Sequence, residues 1–210
     1  MTDKSYYKTR FDFYKKRNKV WRVLANYLQK YIPINSKVLD LGAGYCNFIN
    51  NIKCKEKHAL DLYKGFIKYA HSNVKTYIQS CTNLNNFYSN HFDIIHASNL
   101  FEHLTKQEFE KTLKGIKRIL KNGGKLIIIQ PNYKYAYKEY FDDYTHKTIH
   151  TDKSLCDVLI ANGFKIIKCI PKFIPFSMKS KIPTSTFLLK LYLYSPFKPF
   201  AKQMLIIAQK

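Results

Sequence analysis

Arginine is scarce in this chain: only Arg10, Arg17, Arg22 and Arg118 stand among its 36 basic residues. Arginine is the side chain that forks onto phosphate, so its scarcity counts against sequence-specific reading of nucleic acid, whatever the formal net charge of +22 suggests. Cysteine is sparse too. Cys46, Cys54, Cys81, Cys156 and Cys169 are odd in number and show no CxxC spacing, which disfavours a disulfide framework or a zinc knot and implies a reducing compartment. No apolar run approaches the length of a membrane span, and the first residues hold no apolar h-region. A cytoplasmic protein without a signal peptide is therefore expected. Acid is missing altogether after Asp157, while nine lysines follow, interleaved with Phe173, Phe176, Phe187, Tyr192, Tyr194, Phe197 and Phe200. Such a stretch suits an anionic partner or a peripheral contact with the inner face of a membrane.

What is present is the material of one globular domain. The 210 residues suffice to bury a core, and 46% hydrophobic with 24% charged residues is ordinary for a globular chain. Phe13, Val20, Trp21, Leu24 and Leu28 recur at helical spacing and predict a helix over 10–31, stopped by Pro33. Residues 1–33 would then form a helical cap. Short apolar runs at 37–41, 58–62, 74–79, 92–97, 125–130, 164–170 and 203–208 read as strands. Helices are expected between them, to about Ile52, over 64–72, over 105–120 with Gly123-Gly124 as its cap, and over 152–162. Strands that alternate with helices, each a continuous apolar run, specify a doubly wound, mostly parallel sheet covered on both faces. Ligands of such sheets bind at the carboxyl ends of the strands.

The first such end reads Asp40-Leu41-Gly42-Ala43-Gly44. Glycine permits a tight turn and lets a ligand approach the backbone. The helix N-terminus beyond it offers N–H groups to an anion. Asp61 closes the second strand, where a carboxylate can accept both hydroxyls of a ribose. Strand, glycine loop, helix, strand and terminal Asp in that order indicate a ligand that carries a nucleoside. A dinucleotide would call for a third glycine where Asn47 stands.

Val38 to Gly44 resembles motif I of the class I S-adenosylmethionine (SAM)-dependent methyltransferases. Further matches follow in family order: Leu60-Asp61-Leu62, then Phe92-Asp93-Ile94-Ile95 with Glu102-His103-Leu104, then Leu120 to Leu126. The resemblance covers roughly residues 37–170. It implies SAM as cofactor, a seven-stranded sheet in the order 3-2-1-4-5-7-6, and cofactor contacts from Asp40, Gly42, Ala43, Gly44, Asp61, Leu62, Ser80, Cys81 and Ser98. It also implies that residues 171–202 form a basic aromatic lid between the last two strands, on the ligand side. Cys46 departs from the pattern where a further glycine is common, and Ser80 where an acidic residue is.

Methyl transfer to a hydroxyl needs alignment, exclusion of water and a base. His146 with Asp143 as its orienting carboxylate is the first candidate, and His103 the second. Asn99-x-x-Glu102-His103 falls one carboxylate short of a Glu-x-x-Glu-His metal motif found in some O-methyltransferases, so no metal is expected. Gln130-Pro131-Asn132-Tyr133, Tyr140 to His146 and Pro171 to Phe176 resemble a bacterial subgroup associated with surface-polysaccharide biosynthesis. That resemblance implies a sugar or glycan-linked acceptor, phosphate-bearing or lipid-linked. An RNA methyltransferase, a nicotinamide-dependent sugar oxidoreductase and a non-catalytic SAM-binding partner are the competing readings, with nucleic acid the less favoured partner.

Overall fold

The computed structural model describes residues 15–175 and 185–210. Seven strands form one sheet in the order β3-β2-β1-β4-β5-β7-β6. They are β1 (Lys37–Leu41), β2 (Glu56–Asp61), β3 (Val74–Ile78), β4 (Phe92–Ser98), β5 (Leu120–Pro131), β6 (Lys165–Pro175) and β7 (Ala201–Gln209). β1 to β5 pair in parallel; β7 runs antiparallel to both β5 and β6. The order inferred from the sequence is the order observed.

The helices are α1 (Lys15–Leu28), α2 (Asn47–Asn51), α3 (Lys106–Ile119), α4 (Tyr133–Ala136), α5 (Asp152–Ala161) and α6 (Thr186–Tyr194). Thr105 and Thr151 begin α3 and α5 with capping boxes, which satisfy N–H groups that helix ends leave open. Successive strand side chains point to opposite faces, and each central strand feeds two cores. In β7, Leu205 and Ile207 join the cluster under α1, α2 and α6, whereas Met204, Ile206 and Ala208 join the cluster that holds Phe109, Leu113 and Leu159 of α3 and α5.

Local structure departs from the sequence reading at three places. Gly123-Gly124 does not cap α3, which ends on Leu120 in extended conformation. The pair lies instead within β5, where the register passes from Phe92↔Leu120 to Ile94↔Lys125 and the intervening residues bulge out, Gly123 at φ +77°. Residues 64–69 form a 3₁₀ helix in place of an α-helix. The segment expected as an insertion over 171–202 is shorter at both ends, because β6 runs on to Pro175 and β7 begins at Ala201. Phe13 and Phe176 lie outside the described residues.

Ile206 is fully buried in the middle of β7. Ile206→Ala should lower unfolding free energy by roughly 2–5 kcal/mol, the usual cost of a large-to-small change in a packed core, read as a lower urea midpoint with unchanged slope.

Candidate functional site

The strand order reverses between β1 and β4, and the crevice of a doubly wound sheet opens at such a point. The glycine loop follows β1 there. Gly42 and Ala43 donate their N–H groups to the carbonyl of Leu60, at 2.8 and 3.0 Å, which folds the loop back over β2. Gly42 holds φ +73°, and a Cβ on it would stand 3.0 Å from Leu100 Cδ1. No side chain fits that turn without strain.

Asp61 closes β2 directly beneath this loop. Its Oδ2 accepts from Gly44 N–H at 2.8 Å, and its Oδ1 accepts from Tyr63 N–H at 2.9 Å. The carboxylate thus fixes the loop and the exit of β2 relative to each other. A carboxylate at this place, at the end of the second strand, is the group type that accepts from a ribose diol. Leu62 beside it is half exposed, as a contact for a ligand must be. After β3, Gln79 N–H bonds the carbonyl of Asp61, which brings Ser80 to the same end of the sheet. Ser80 Oγ sits 2.8 Å from Thr82 Oγ1.

Two expected cofactor residues have other employment. Cys81 turns its thiol into the α3 side of the core, where Thr112 contacts it and burial raises its pKa to about 11. Asp40 is buried, and its Oδ1 accepts from His96 Nδ1 at 2.7 Å. His96 stacks on Phe48 with ring centroids 3.6 Å apart and meets the edge of Trp21 from α1. Asp40 therefore supports the loop from below through β4 and α1. Sequence reasoning passed over His96, although its register opposite Asp40 follows from the strand order. Ser98 lies at the end of β4, where Asn99 N–H bonds the carbonyl of Ile129.

The acceptor end is built after β4 and β5. A 3₁₀ turn, Phe101–His103, presents Glu102 and His103. Asp143 Oδ1 accepts from both Thr145 N–H, at 3.0 Å, and Thr145 Oγ1, at 2.6 Å. With its hydroxyl proton directed to Asp143, Thr145 Oγ1 accepts from His103 Nδ1 at 2.8 Å. The expected coupling of Asp143 to His146 is thereby corrected: Asp143 orients His103, by way of Thr145. The turn at 143–145 bends the carboxylate back onto Thr145. His146 is oriented by a backbone carbonyl, its Nδ1 donating to Tyr140 O at 2.6 Å. Tyr140 is fully buried, donates to Thr148 O, and has its hydroxyl pKa pushed up by burial.

Glu102 is the anomaly of this region. It is fully buried, and neither oxygen finds a hydrogen-bond partner in another residue. Burial lifts its pKa to about 8, with the Asp143 charge adding to the rise. At neutral pH it is therefore mostly a neutral acid. His103 moves the other way, its pKa pushed down to about 4 by burial and by His146 beside it. Among the described residues, one ligand-type atom from each of Glu102, His103 and His146 lies within 4.8 Å of the others. Three groups able to hold or move a proton thus converge just past the strand ends. The nucleophile elbow of hydrolases is not among these elements.

Residues 39–128, somewhat under half of the chain, match a family model described as a methyltransferase domain. The fold is that of the class I SAM-dependent methyltransferases. A SAM-dependent methyltransferase from Archaeoglobus fulgidus superposes with a TM-score of 0.68 at 19% identity, over 98% of both chains. A chain from the complex between the Haloferax volcanii Trm112 methyltransferase activator and a methyltransferase gives 0.68 at 15% identity, over 93% of this chain and 94% of that one. The [4+2]-cyclase SpnF gives 0.66 at 15% identity, over 90% and 80%. An uncharacterised protein of Methanocaldococcus jannaschii is 35% identical over 133 residues, 62% of this chain and 55% of that protein. The chain thus spans just over half the length of the curated relative it matches. Fold and domain match together support SAM as the cofactor, and the Asp61 carboxylate and the glycine cradle fit its ribose and its amino-acid end.

Asp61→Asn replaces one acceptor by a donor that would face a backbone N–H. Affinity for SAM should fall roughly 10- to 100-fold, as for loss of a hydrogen bond to a charged group, measured by titration calorimetry. Glu102 predicts a pH dependence. Its folded-state pKa lies above its unfolded value of 4.5, so the native state binds the extra proton. The part of its burial cost that is linked to ionisation is absent below about pH 4.5 and grows as pH rises to about 8. Glu102→Gln should therefore gain stability over the parent across that interval, by no more than about 1.4 kcal/mol per pH unit, in denaturant titrations.

Proposed function

We propose that the chain is a SAM-dependent methyltransferase that O-methylates a sugar or glycan-linked hydroxyl in the building of a cell-surface polysaccharide. One observation carries the choice of a hydroxyl: a buried, unpartnered carboxyl and two oriented histidines gather beside the methyltransferase loop. An amine or thiol acceptor needs less help to lose its proton; a hydroxyl needs a placed base. SAM supplies an electrophilic methyl group when bound. The residues do the rest. His103 has its Nδ1–H engaged with Thr145, so Nε2 is the ring nitrogen that takes a proton. Thr145 and Asp143 hold that tautomer and stabilise the imidazolium that forms. His146, its Nδ1–H engaged with Tyr140 O, offers Nε2 in the same way. Glu102, neutral at pH 7, is placed to hydrogen-bond an acceptor oxygen. His103 Nε2 would take the proton that the acceptor hydroxyl gives up on methylation, with Thr145 and Asp143 balancing the charge. The sugar and its polysaccharide setting rest on the resemblance of the 130–146 and 171–176 segments.

A screen of nucleotide sugars and glycans with labelled SAM tests the reading. Transfer to a hydroxyl is expected, with His103→Ala lowering turnover by about 10²–10⁴ while SAM affinity holds. Thr145→Val should lower kcat more than it alters KM, and should shift the acid limb of the pH profile. Transfer to RNA with a steep salt dependence would favour the nucleic-acid reading, for which the net charge of +22 speaks. SAM binding with no transfer to any hydroxyl would favour a non-transferring role, and SpnF shows that this fold hosts other chemistry.

A further inference from the structure

Helix α6 sits on the surface, yet it is apolar on nearly every side. Leu193 is buried and Leu189 packs beside it against the core beneath α1, while Tyr194 meets Tyr27 with ring centroids 5.4 Å apart. At 100° per residue, Phe187, Leu188, Leu191 and Tyr194 share the opposite arc. They are exposed by 71, 45, 60 and 69%, and Phe197 and Phe200 follow at 75 and 77%. A surface helix normally turns polar residues to water, so such a face calls for a cover.

Charge selects the cover. The sequence holds no acidic residue beyond Asp157, and Lys179 and Lys181 precede the helix. Lys190 is exposed on the flank of α6. Lys198 and Lys202 play internal parts: the first caps the carbonyls of Tyr192 and Leu193, the second pairs with Glu139. An apolar centre with Lys190 on its flank and Lys30 Nζ 5.8 Å from the Tyr194 ring complements a bilayer that carries anionic headgroups. A symmetric second copy would set Lys190 and its neighbours near their own like charges. Nucleic acid would meet the lysines but gain little from Leu188 and Leu191.

The face also stands at a meaningful edge. Pro175 pairs with Ala201 and Gln203 with Pro131, so both ends of the α6 segment lie at the carboxyl side of the sheet, as do the glycine loop and Glu102.

We propose that α6 and the turn after it dock the protein on an anionic phospholipid bilayer. Phe187, Leu188, Leu191, Tyr194, Phe197 and Phe200 enter the boundary between headgroups and acyl chains, and Lys190 meets the phosphates. The acceptor side of the sheet then faces the membrane, where a lipid-linked glycan would be presented. This last point rests on the proposed function; the docking does not.

Sedimentation of the full chain with vesicles tests it. Binding is expected to phosphatidylglycerol–phosphatidylcholine vesicles at 0.15 M salt and to be much weaker with phosphatidylcholine alone. The Phe187→Ser, Leu191→Ser, Phe197→Ser triple variant alters exposed positions only. It should lower partitioning at least tenfold, with circular dichroism and SAM affinity unchanged, and Lys190→Glu should reduce the preference for anionic lipid. No sedimentation with either vesicle would overturn the proposal, as would a triple variant that binds like the parent. A parent that is dimeric by light scattering, with a monomeric triple variant, would assign the face to a second copy instead.

Discussion

The ligand end of this sheet hangs on one buried carboxylate. Asp61 accepts from Gly44 on one side and from Tyr63 on the other, and so joins the loop after β1 to the chain leaving β2. Only an acceptor with several lone pairs can take two backbone N–H groups at once. Burying a carboxylate is costly unless hydrogen bonds replace water, and here the backbone supplies them. The parallel register of β1 with β2 brings the loop and this carboxylate together.

A second buried pair supports the loop from the opposite direction. Asp40 and His96 lie side by side on β1 and β4, facing the α1 layer. Phe48 of α2 and Trp21 of α1 close over the imidazole. The N-terminal helix is thereby tied to the loop through aromatic contact with the hydrogen-bonded Asp40–His96 pair beneath it. Cys46 belongs to the same arrangement. It adopts φ +55° where glycine would be at ease, and it is fully buried. The strain of a left-handed non-glycine residue is held in place by surrounding packing, which is how such conformers persist near ligand sites.

The sequence made the sheet legible because each strand is a continuous apolar run and each strand end carries its own punctuation. Gly42, Gly44 and Asp61 could be singled out for the same reason, since they stand at strand ends, whereas Asp40, read as a cofactor contact, turns to His96 instead. The acceptor site was legible only as a set. Asp143 and His146 are close in sequence, which suggests a pair, yet the bond that forms reaches across 42 residues from Thr145 to His103. Nothing in spacing or periodicity encodes that choice, because it depends on how the chain after β5 turns. Gly123-Gly124 misled for a related reason. Two glycines signal a turn, but helix cap and strand bulge ask the same freedom of the backbone, and the pairing partner decides between them.

The buried titratable groups of this region share a property that follows from burial rather than from identity. Water exclusion raises the pKa of Glu102 and lowers that of His103 and, in the segment after α4, of His150. Each shift favours the neutral form, so near neutral pH these three groups carry little charge. A neutral acid can donate to an oxygen, and a neutral imidazole can accept a proton. Asp143 stands at one remove, behind Thr145, where it can stabilise positive charge on His103 once a proton arrives. For the proposed alcohol acceptor, this order keeps charge off the oxygen before a proton moves and balances it beside the oxygen afterwards.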